Sequence, residues 1–415
     1  MSIFSTMYIG MSGMRANEGA IGTIGDNIAN SNTIGFKGSR AVFADLLSQT
    51  VLGSAGMSQA GQGVSVAGVQ RLVTQGALLG TGVSTDLAIN GQGYFIVNDA
   101  SGQQFYSRNG QFQVDNEGYL TTVDNLRLQG YAADDNGVLA ARLSGLQIND
   151  VQSPPRATTE VNFSINLDSE SEAPTSFISP DDPDSYNYTS QMTVYDSLGN
   201  AHQVDVYYAK TGDNEWIWSA VVAAEELGGD PADPPIEVGS GPLSFDGDGN
   251  LVNHTPEEIA LSFPGANSQT IDFNFEGTTQ LGAPNSLNSA DQDGFGVGTL
   301  SFVDVDETGQ IHGTFTNGRE VLLGQLALAR FDAPELLNAV GGNRFTETLS
   351  SGQPAIGTAG TGARGTIFAG TLEQSNVDLT NEFTQLIVAQ RGFQASSRTV
   401  TTADEMMLQV LNLKQ

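Results

Sequence analysis

Residues 377–413 read VDLTNEFTQLIVAQRGFQASSRTVTTADEMMLQVLNL, the longest stretch of the chain with an unbroken helical period. Leu379, Phe383, Leu386, Phe393, Val400, Met407 and Leu411 fall at alternating steps of three and four once Gln390, Ser397 and Asp404 take seam positions. That is a heptad pattern. A helix of this length reaches about 50 Å at about 1.5 Å per residue, more than one compact domain usually covers along a side. Each apolar seam residue contributes on the order of 2 kcal/mol when covered, and the cover has to come from another helix. Gln390, Ser397 and Asp404 weaken the seam while fixing its register. The stretch therefore predicts a C-terminal helix that is marginal alone and ordered on association.

The opposite end of the chain repeats the spacing. Phe4, Met7, Met11, Met14, Ile21 and Ile28 share it, with Glu18 and Gly25 as gaps. Two such helices can pair with each other, with copies of themselves, or both. Gly10, Gly13, Gly19, Gly22 and Gly25 lower the propensity of the first helix, so it is expected to order only when packed. The run Asp26-Asn27-Ile28-Ala29-Asn30-Ser31-Asn32-Thr33-Ile34-Gly35-Phe36-Lys37 follows. Its Asn and Gly residues read as a helix stop and a turn, anchored by Phe36.

Between the ends the period changes to two. Leu87 and Ile89, Tyr94 to Val97, Phe105, Tyr106, Phe112 and Val114 are bounded by Asn90-Gly91, Asn98-Asp99, Asn109-Gly110 and Asn116-Glu117-Gly118, which reads as a β domain. Pro154-Pro155 marks a boundary. Beyond it Val161 to Leu167 alternates, and Met192–Tyr195 and Gln203–Tyr208 flank a turn at 196–200, with Val204, Val206 and Tyr208 on one face. Trp216, Trp218, Phe245, Leu251, Ile271, Phe273 and Phe275 supply further strands, closing near Pro284. Leu322 to Phe331 returns to the first domain. Phe43 to Leu79 reads as flexible linker broken by Gly53, Gly56, Gly61 and Gly63, with Phe43, Leu46 and Leu47 able to extend a short helix.

The run Asn27 to Lys37, with Leu372-Glu373-Gln374-Ser375-Asn376-Val377-Asp378-Leu379 and Gln390-Arg391-Gly392-Phe393-Gln394-Ala395, resembles the terminal signatures of the bacterial flagellar rod and hook proteins. Asn27, Asn30, Thr33, Gly35, Phe36, Lys37, Ser375, Asn376, Val377, Asp378, Gln390 and Arg391 carry that likeness. The segments Asp86 to Gly91 and Ser107 to Phe112 resemble the first inserted domain of the same family, with Ser107 where the family more often has threonine. The large insertion Val151 to Pro284 favours the hook branch over the rod branch. The resemblance implies a mainly β fold with α-helical termini, two nested β domains lying between coiled-coil-forming helices. The expected division is 1–30 with 371–415 for assembly, 31–70 as a linker packing between helices and outer domains, 71–145 with 285–370 as the first β domain, and 146–284 as an outer acidic β domain.

The same resemblance implies a self-assembling hollow tube that joins rod to filament and bends while transmitting torque. Its implied partners are further copies of the chain, the distal rod protein, the hook cap, the hook-filament junction protein and the flagellar type III export apparatus. Export without a cleaved signal, to the cell surface, fits an N-terminus lacking a cationic start and an apolar core. A distal rod protein with a large insertion, and a calcium-dependent surface adhesin or hydrolase, are the alternatives.

Composition excludes several function classes. The formal net charge of −31 argues against nucleic acid as a partner, and no apolar run reaches the length of a membrane span. Between Arg156 and Arg319 the only Lys or Arg is Lys210, so the acidity is concentrated in the middle. Absence of cysteine removes disulfides, thiolate metal sites and cysteine nucleophiles. Chemical motifs are weak. Ser197 near His202 sits at a hairpin tip, and the glycine-rich Gly360 to Gly365 reads as a hinge. Asp246 to Glu257 echoes a calcium loop but has Leu251 where glycine is needed. His202, His254 and His312 are scattered, so no catalytic residue, cofactor or metal is expected. Glycine joints at 53–63 and 357–365 are expected to let the outer domains shift.

Overall fold

The computed structural model describes residues 3–47, 49–53, 56–134, 137–148, 152–174, 179–180, 182–254 and 257–412. The chain forms two compact units. Unit 1 comprises Met1–Asp150, Phe302–Gly313 and Glu320–Gln415, and unit 2 comprises Val151–Ser301 and Thr314–Arg319. The expected closure near Pro284 thus moves outward, because Ser286–Gln292 pairs antiparallel with Glu160–Asp168 and completes a sheet of unit 2.

In unit 1 the outgoing and returning halves of the chain interleave. Glu320–Arg330 pairs with Arg127–Ala132, which pairs with Tyr94–Asn98, then Gln104–Ser107, Arg344–Thr346 and Asn338–Gly341, all antiparallel. Tyr94–Asn98 is buried on both faces, as a central strand should be. Its core is aromatic: Tyr106 packs edge-on to Phe331 at 4.8 Å, and Tyr94 does the same to Phe331 and Phe345. Two further pairings, Leu87–Asn90 with Thr366–Ala369 and Leu78–Gly80 with Thr371–Glu373, carry the returning chain to its entry point. The terminal helices α1 (Ile3–Ala29) and α2 (Leu379–Asn412) start and finish from there.

The expected linker is ordered β structure. Strand β1 (Ser39–Asp45) pairs antiparallel with β4 (Val64–Arg71), and between them β2 (Gln49–Gly53) pairs with β3 (Gly56–Ala60). Alternating Val64, Val66 and Val69 favour extension over helix. The same preference excludes a helix through Phe43. A two-stranded ribbon is marginal alone, and here α1 supports it: the Val64 amide donates to Ser12 Oγ at 3.2 Å. Gly63, at φ +108°, has no room for a side chain against Ser12. The expected hinge at 357–365 is also ordered. Gly360 N donates to Gly365 O at 2.9 Å, Arg364 Nε donates to Thr358 O at 3.0 Å, and Gly365 N donates to Gln92 O at 2.6 Å.

Unit 2 holds two five-stranded sheets. One is the meander Tyr188–Tyr195, Ala201–Gly212, Glu215–Val222, Ile236–Phe245 and Leu251–His254. The other is centred on Glu160–Asp168, which runs parallel to Gln269–Asn274 and Thr279–Leu281. Both contribute to one core, in which Val204, Val206 and Tyr208 are fully buried on one face as expected. Trp218 stacks on Phe273 at 5.5 Å, and Trp216 Nε1 donates to Gln280 Oε1 at 3.1 Å.

One turn recurs in both units. At Asp99, Asp115, Asp134, Asp196, Asp246 and Asp306 the carboxylate accepts the amide four residues on, and a glycine three residues on takes positive φ. This is a hairpin loop closed by a bulge, with Asp satisfying amides that the turn leaves free. Asp246, the first acid of the calcium-like run, is one of the six; its Oδ1 accepts Asp248 N at 2.9 Å and Asn250 N at 2.8 Å. The Glu257 side chain and Pro256 lie outside the described residues.

Candidate functional site: the terminal helix pair and its buried charge joint

The two ends meet at a joint built by the motif residues. Asn27, buried in the last turns of α1, clasps the start of β1: Ser39 N donates to its Oδ1 at 2.8 Å and its Nδ2 donates to Ser39 O at 2.7 Å. Asn30 Nδ2 donates to Asp26 O, and Thr33 Oγ1 donates to Asn30 Oδ1, which closes the turn after the helix. Gly35 adopts φ +68°, where a Cβ would stand 2.6 Å from Arg108 backbone atoms, so glycine is required. Its amide donates to Glu373 O at 2.7 Å, and Phe36, half-buried, accepts Asn376 N on its carbonyl. Asn376 spans the gap, with Gly38 N on its Oδ1 and Leu72 O and Thr74 O receiving its Nδ2. Ser375 Oγ accepts Val377 N, and Val377 packs beside Gly38. Asp378 Oδ1 accepts Thr380 N at 2.8 Å and caps α2.

At the centre of the joint is a three-charge cluster. Glu373, fully buried, takes Lys37 Nζ on Oε1 at 2.6 Å and Arg108 Nη1 on Oε2 at 3.0 Å. Gly76 N also donates to Oε1 at 2.9 Å, Lys37 Nζ to Thr74 O at 2.8 Å, and Arg108 Nη2 to Gly91 O at 2.6 Å. Burial pushes the Lys37 ammonium down from its ordinary range, against the opposing pull of Glu373. Arg71 nearby is lowered by burial as well; it donates to Leu337 O at 3.0 Å and stands over Phe345 at 4.4 Å.

From this joint α1 and α2 run antiparallel, and their contact uses small residues. A Cβ on Gly10 would lie 2.8 Å from Val400 Cγ2, one on Gly13 2.7 Å from Ser396 Oγ, and one on Gly392 2.8 Å from Asn17 Oδ1. Ala20 and Ile24 bury against Ala389, and Ala403 is wholly buried. The heptad period is therefore present but shifted in phase. On α1 the line runs through Gly10, Gly13, Asn17, Ala20 and Ile24, each one position before Met11, Met14, Glu18, Ile21 and Gly25. On α2, Ala389, Ser396 and Ala403 replace Gln390, Ser397 and Asp404. Close approach of two backbones needs small side chains, whereas a scan for large apolar residues selects the neighbouring row.

Apart from Val400, which meets Gly10, the large residues lie at the edge of this contact or outside it. Ile21, Ile28 and Leu386 edge the Ala20 cluster, and Met7, Met14, Val400 and Met407 are half-buried. Phe4 (63%), Met11, Leu379, Phe383 (50%), Phe393 and Leu411 (60%) are exposed. Gln390 and Arg391 stand on the solvent side of α2. Glu373 and Arg108 at the joint, and Ala389, Ser396 and Ala403 in the contact, were not singled out by sequence. Nothing in a local period marks them, although Glu373 and Arg108 both fall inside quoted motifs.

The terminal segments, the first β domain and unit 2 each match a family model. Residues 7–37 match the flagella basal body rod protein model, and residues 88–170 match the flagellar hook protein FlgE/F/G D1 domain. Residues 166–295 match the flagellar basal body protein FlaE D2 domain, and 369–413 the flagellar basal body rod FlgEFG protein C-terminal model. The chain is 37% identical to the flagellar hook protein FlgE of Escherichia coli over 412 residues, 97% of this chain and 98% of that protein. The chain belongs to the flagellar hook protein family. Relatives at 36% in Salmonella typhimurium and 33% in Treponema pallidum match over 97% and 99% of this chain. Among solved structures, the Helicobacter pylori flagellar hook protein FlgE2 aligns over 70% of this chain and 98% of its own at 15% identity and a TM-score of 0.49. For this member of the hook family, each charge of the joint comes from a different matched segment: Lys37 from 7–37, Arg108 from 88–170 and Glu373 from 369–413.

Other candidate chemistry is engaged structurally. His202 stacks on Phe263 at 3.7 Å with its nitrogens against the Asp196 and Glu226 carboxylates, while Ser197 Oγ accepts Asn267 N at 2.9 Å. Among the described residues no group of three His, Cys, Asp or Glu converges as metal ligands, and no helix is long and apolar enough to cross a membrane.

Proposed function

We propose that this hook-family subunit polymerises through its terminal helices into the hollow, curved tube that joins rod to filament, and that the tube bends while carrying motor torque. The observation that carries the reading is the face that α1 and α2 leave uncovered. The in-chain contact consumes the small residues, so Phe4 and Met11 on α1 and Leu379, Phe383 and Leu411 on α2 remain for another copy. These two rows differ, so contact between them is heterologous and propagates into an open helical array. Phe383, Gln390, Ser397, Asp404 and Leu411 recur every seven residues on α2. The polar members therefore weaken contacts between copies, which supports neighbours shifting cheaply as the tube curves.

The distal rod protein, hook cap, hook-filament junction protein and type III export apparatus are the partners this role calls for, at the cell surface and after export without a cleaved signal. No catalytic role is proposed. The test is sedimentation velocity with negative-stain microscopy on the full chain and on a chain lacking residues 3–20 and 386–412, which keeps Lys37, Arg108 and Glu373. Tubes from the full chain alone, with a folded monomer from the shortened one, are expected. Equal polymerisation by both chains would overturn the assignment.

A further inference from the structure

The charge of this protein is divided unevenly between its units. Unit 2 contains 24 of the 47 Asp and Glu but only Arg156, Lys210 and Arg319 of the 16 Lys and Arg, a formal −21 of the total −31. All three cations are already occupied within the unit. Arg156 Nη2 pairs with Asp293 Oδ2 at 2.8 Å, Lys210 Nζ donates to the carbonyls of Ser169 and Ser171, and Arg319 stands over Phe295 at 4.8 Å. By contrast Glu170, Glu172, Asp213, Glu225, Glu237 and Asp248 are exposed, and no described residue donates a hydrogen bond to their carboxylates. The helices are close to balanced: Arg15 accompanies Glu18 and Asp26 on α1, and Arg391 and Arg398 accompany Glu382, Asp404 and Glu405 on α2.

We infer that unit 2 makes self-assembly dependent on ionic strength, acting as an electrostatic brake that salt releases. This rests on the reading that copies polymerise through their terminal helices. In a polymer of one chain every neighbour brings the same surplus of negative charge, so copies of unit 2 repel while the apolar helix faces attract. Burial of Phe4, Met11, Phe383 and Leu411 depends little on salt at moderate concentration. Repulsion between exposed carboxylates does: its range falls from about 30 Å at about 0.01 M salt to about 10 Å at 0.1 M and about 3 Å at 1 M. The chain thus stays dispersed in dilute electrolyte and assembles when its surroundings screen unit 2.

The experiment measures the critical concentration of the full chain by pelleting and electron microscopy at about 0.01 M and about 0.5 M NaCl, values chosen to bracket the screening range. It is repeated on a sextuple variant carrying Glu170→Gln, Glu172→Gln, Asp213→Asn, Glu225→Gln, Glu237→Gln and Asp248→Asn. Tryptophan emission reports that unit 2 is intact in the variant, because Trp216 and Trp218 both lie in its core. The parent is expected to need roughly tenfold more protein at low salt, and the variant to show a salt ratio reduced by roughly threefold. Equal critical concentrations for the parent at the two salts, or an unchanged ratio in the variant, would overturn the inference while leaving the polymer reading standing. Failure to form tubes at any ionic strength would overturn both.

Discussion

The core of unit 2 and the terminal helices of unit 1 are made from similar apolar residues and reach opposite states. Trp216, Trp218, Phe273 and Phe275 are sealed between two sheets, each nearly or wholly buried. Phe4, Phe383 and Leu411 stand in solvent on helices whose own contact is made by glycine, alanine and serine. A sheet sandwich covers its inner faces with its own strands. A pair of long helices covers only one stripe of each. Unit 2 therefore covers its own large apolar residues, whereas each terminal helix leaves one face uncovered, the face proposed above to meet another copy.

The largest effect that would sharpen this comparison is expected at the joint. Glu373→Gln leaves Lys37 and Arg108 buried with their shared partner weakened, and breaking a buried pair of this kind costs about 3–5 kcal/mol. Circular dichroism should report loss of helix at a lower temperature than in the parent, while tryptophan emission from unit 2 changes little. Coincident melting of both signals would break the division. Next is Ala403→Leu, which adds volume where α2 has no exposed surface. Overpacking of about 1–3 kcal/mol should separate the helices and lower the helical melting temperature.

Phe383→Asp acts on the uncovered face instead. With Phe383 half exposed in the single chain, monomer melting should hardly move, whereas the critical concentration for tubes should rise about tenfold, equivalent to about 1.4 kcal/mol. Destabilised monomer with normal tubes would reverse the assignment of that face. Leu386→Asp is the contrasting case, since Leu386 edges the Ala20 cluster and both readouts should change.

The smallest effect concerns acid. Burial pushes the Asp293 carboxyl up, but the Thr159 hydroxyl, the amides of Thr159 and Glu160 and the charge of Arg156 together hold it below its ordinary 3.8. Asp196 is also held low, its burial outweighed by hydrogen bonds from Asn200, His202 and Leu198. A carboxyl lowered by folding stabilises the fold above its unfolded value, and that contribution disappears as pH falls through the folded value. Unit 2 should therefore lose stability below about pH 4, the ordinary carboxyl range. Asp293→Asn should be less stable than the parent at pH 7 and show a shallower acid transition by tryptophan emission. An equally steep transition in the variant would exclude Asp293 from it.

Much of the architecture was legible in order along the chain. Period two from Leu87 onward, the hairpin around Asp196 and the strands through Trp216, Phe273 and Leu322 all follow from side-chain alternation and turn residues, which are local. The six Asp–x–x–Gly turns are equally local: the copy at 196–200 reads as a hairpin, and those at Asp99 and Asp115 coincide with segments that bound strands. The ribbon from Ser39 to Arg71 was misread because its glycines suggested a break, and only α1 makes so small a sheet stable. At the site, the motif residues Asn27, Gly35, Lys37, Asn376 and Asp378 were visible as a pattern, but what they hold together was not.

The sequence alone settled that the ends are amphipathic helices with a shared heptad period, that a mainly β body lies between them, that its middle is strongly acidic, and that thiol chemistry is absent. These are properties of neighbours a few residues apart. Tertiary structure alone decided which stripe of each helix meets the other and which remains open. It also decided that one buried carboxylate, Glu373, answers two cations 336 and 265 residues away. Close backbone approach selects small side chains that carry no hydrophobic signal, and charge neutrality in a buried joint is a condition on residues that only the folded chain brings together.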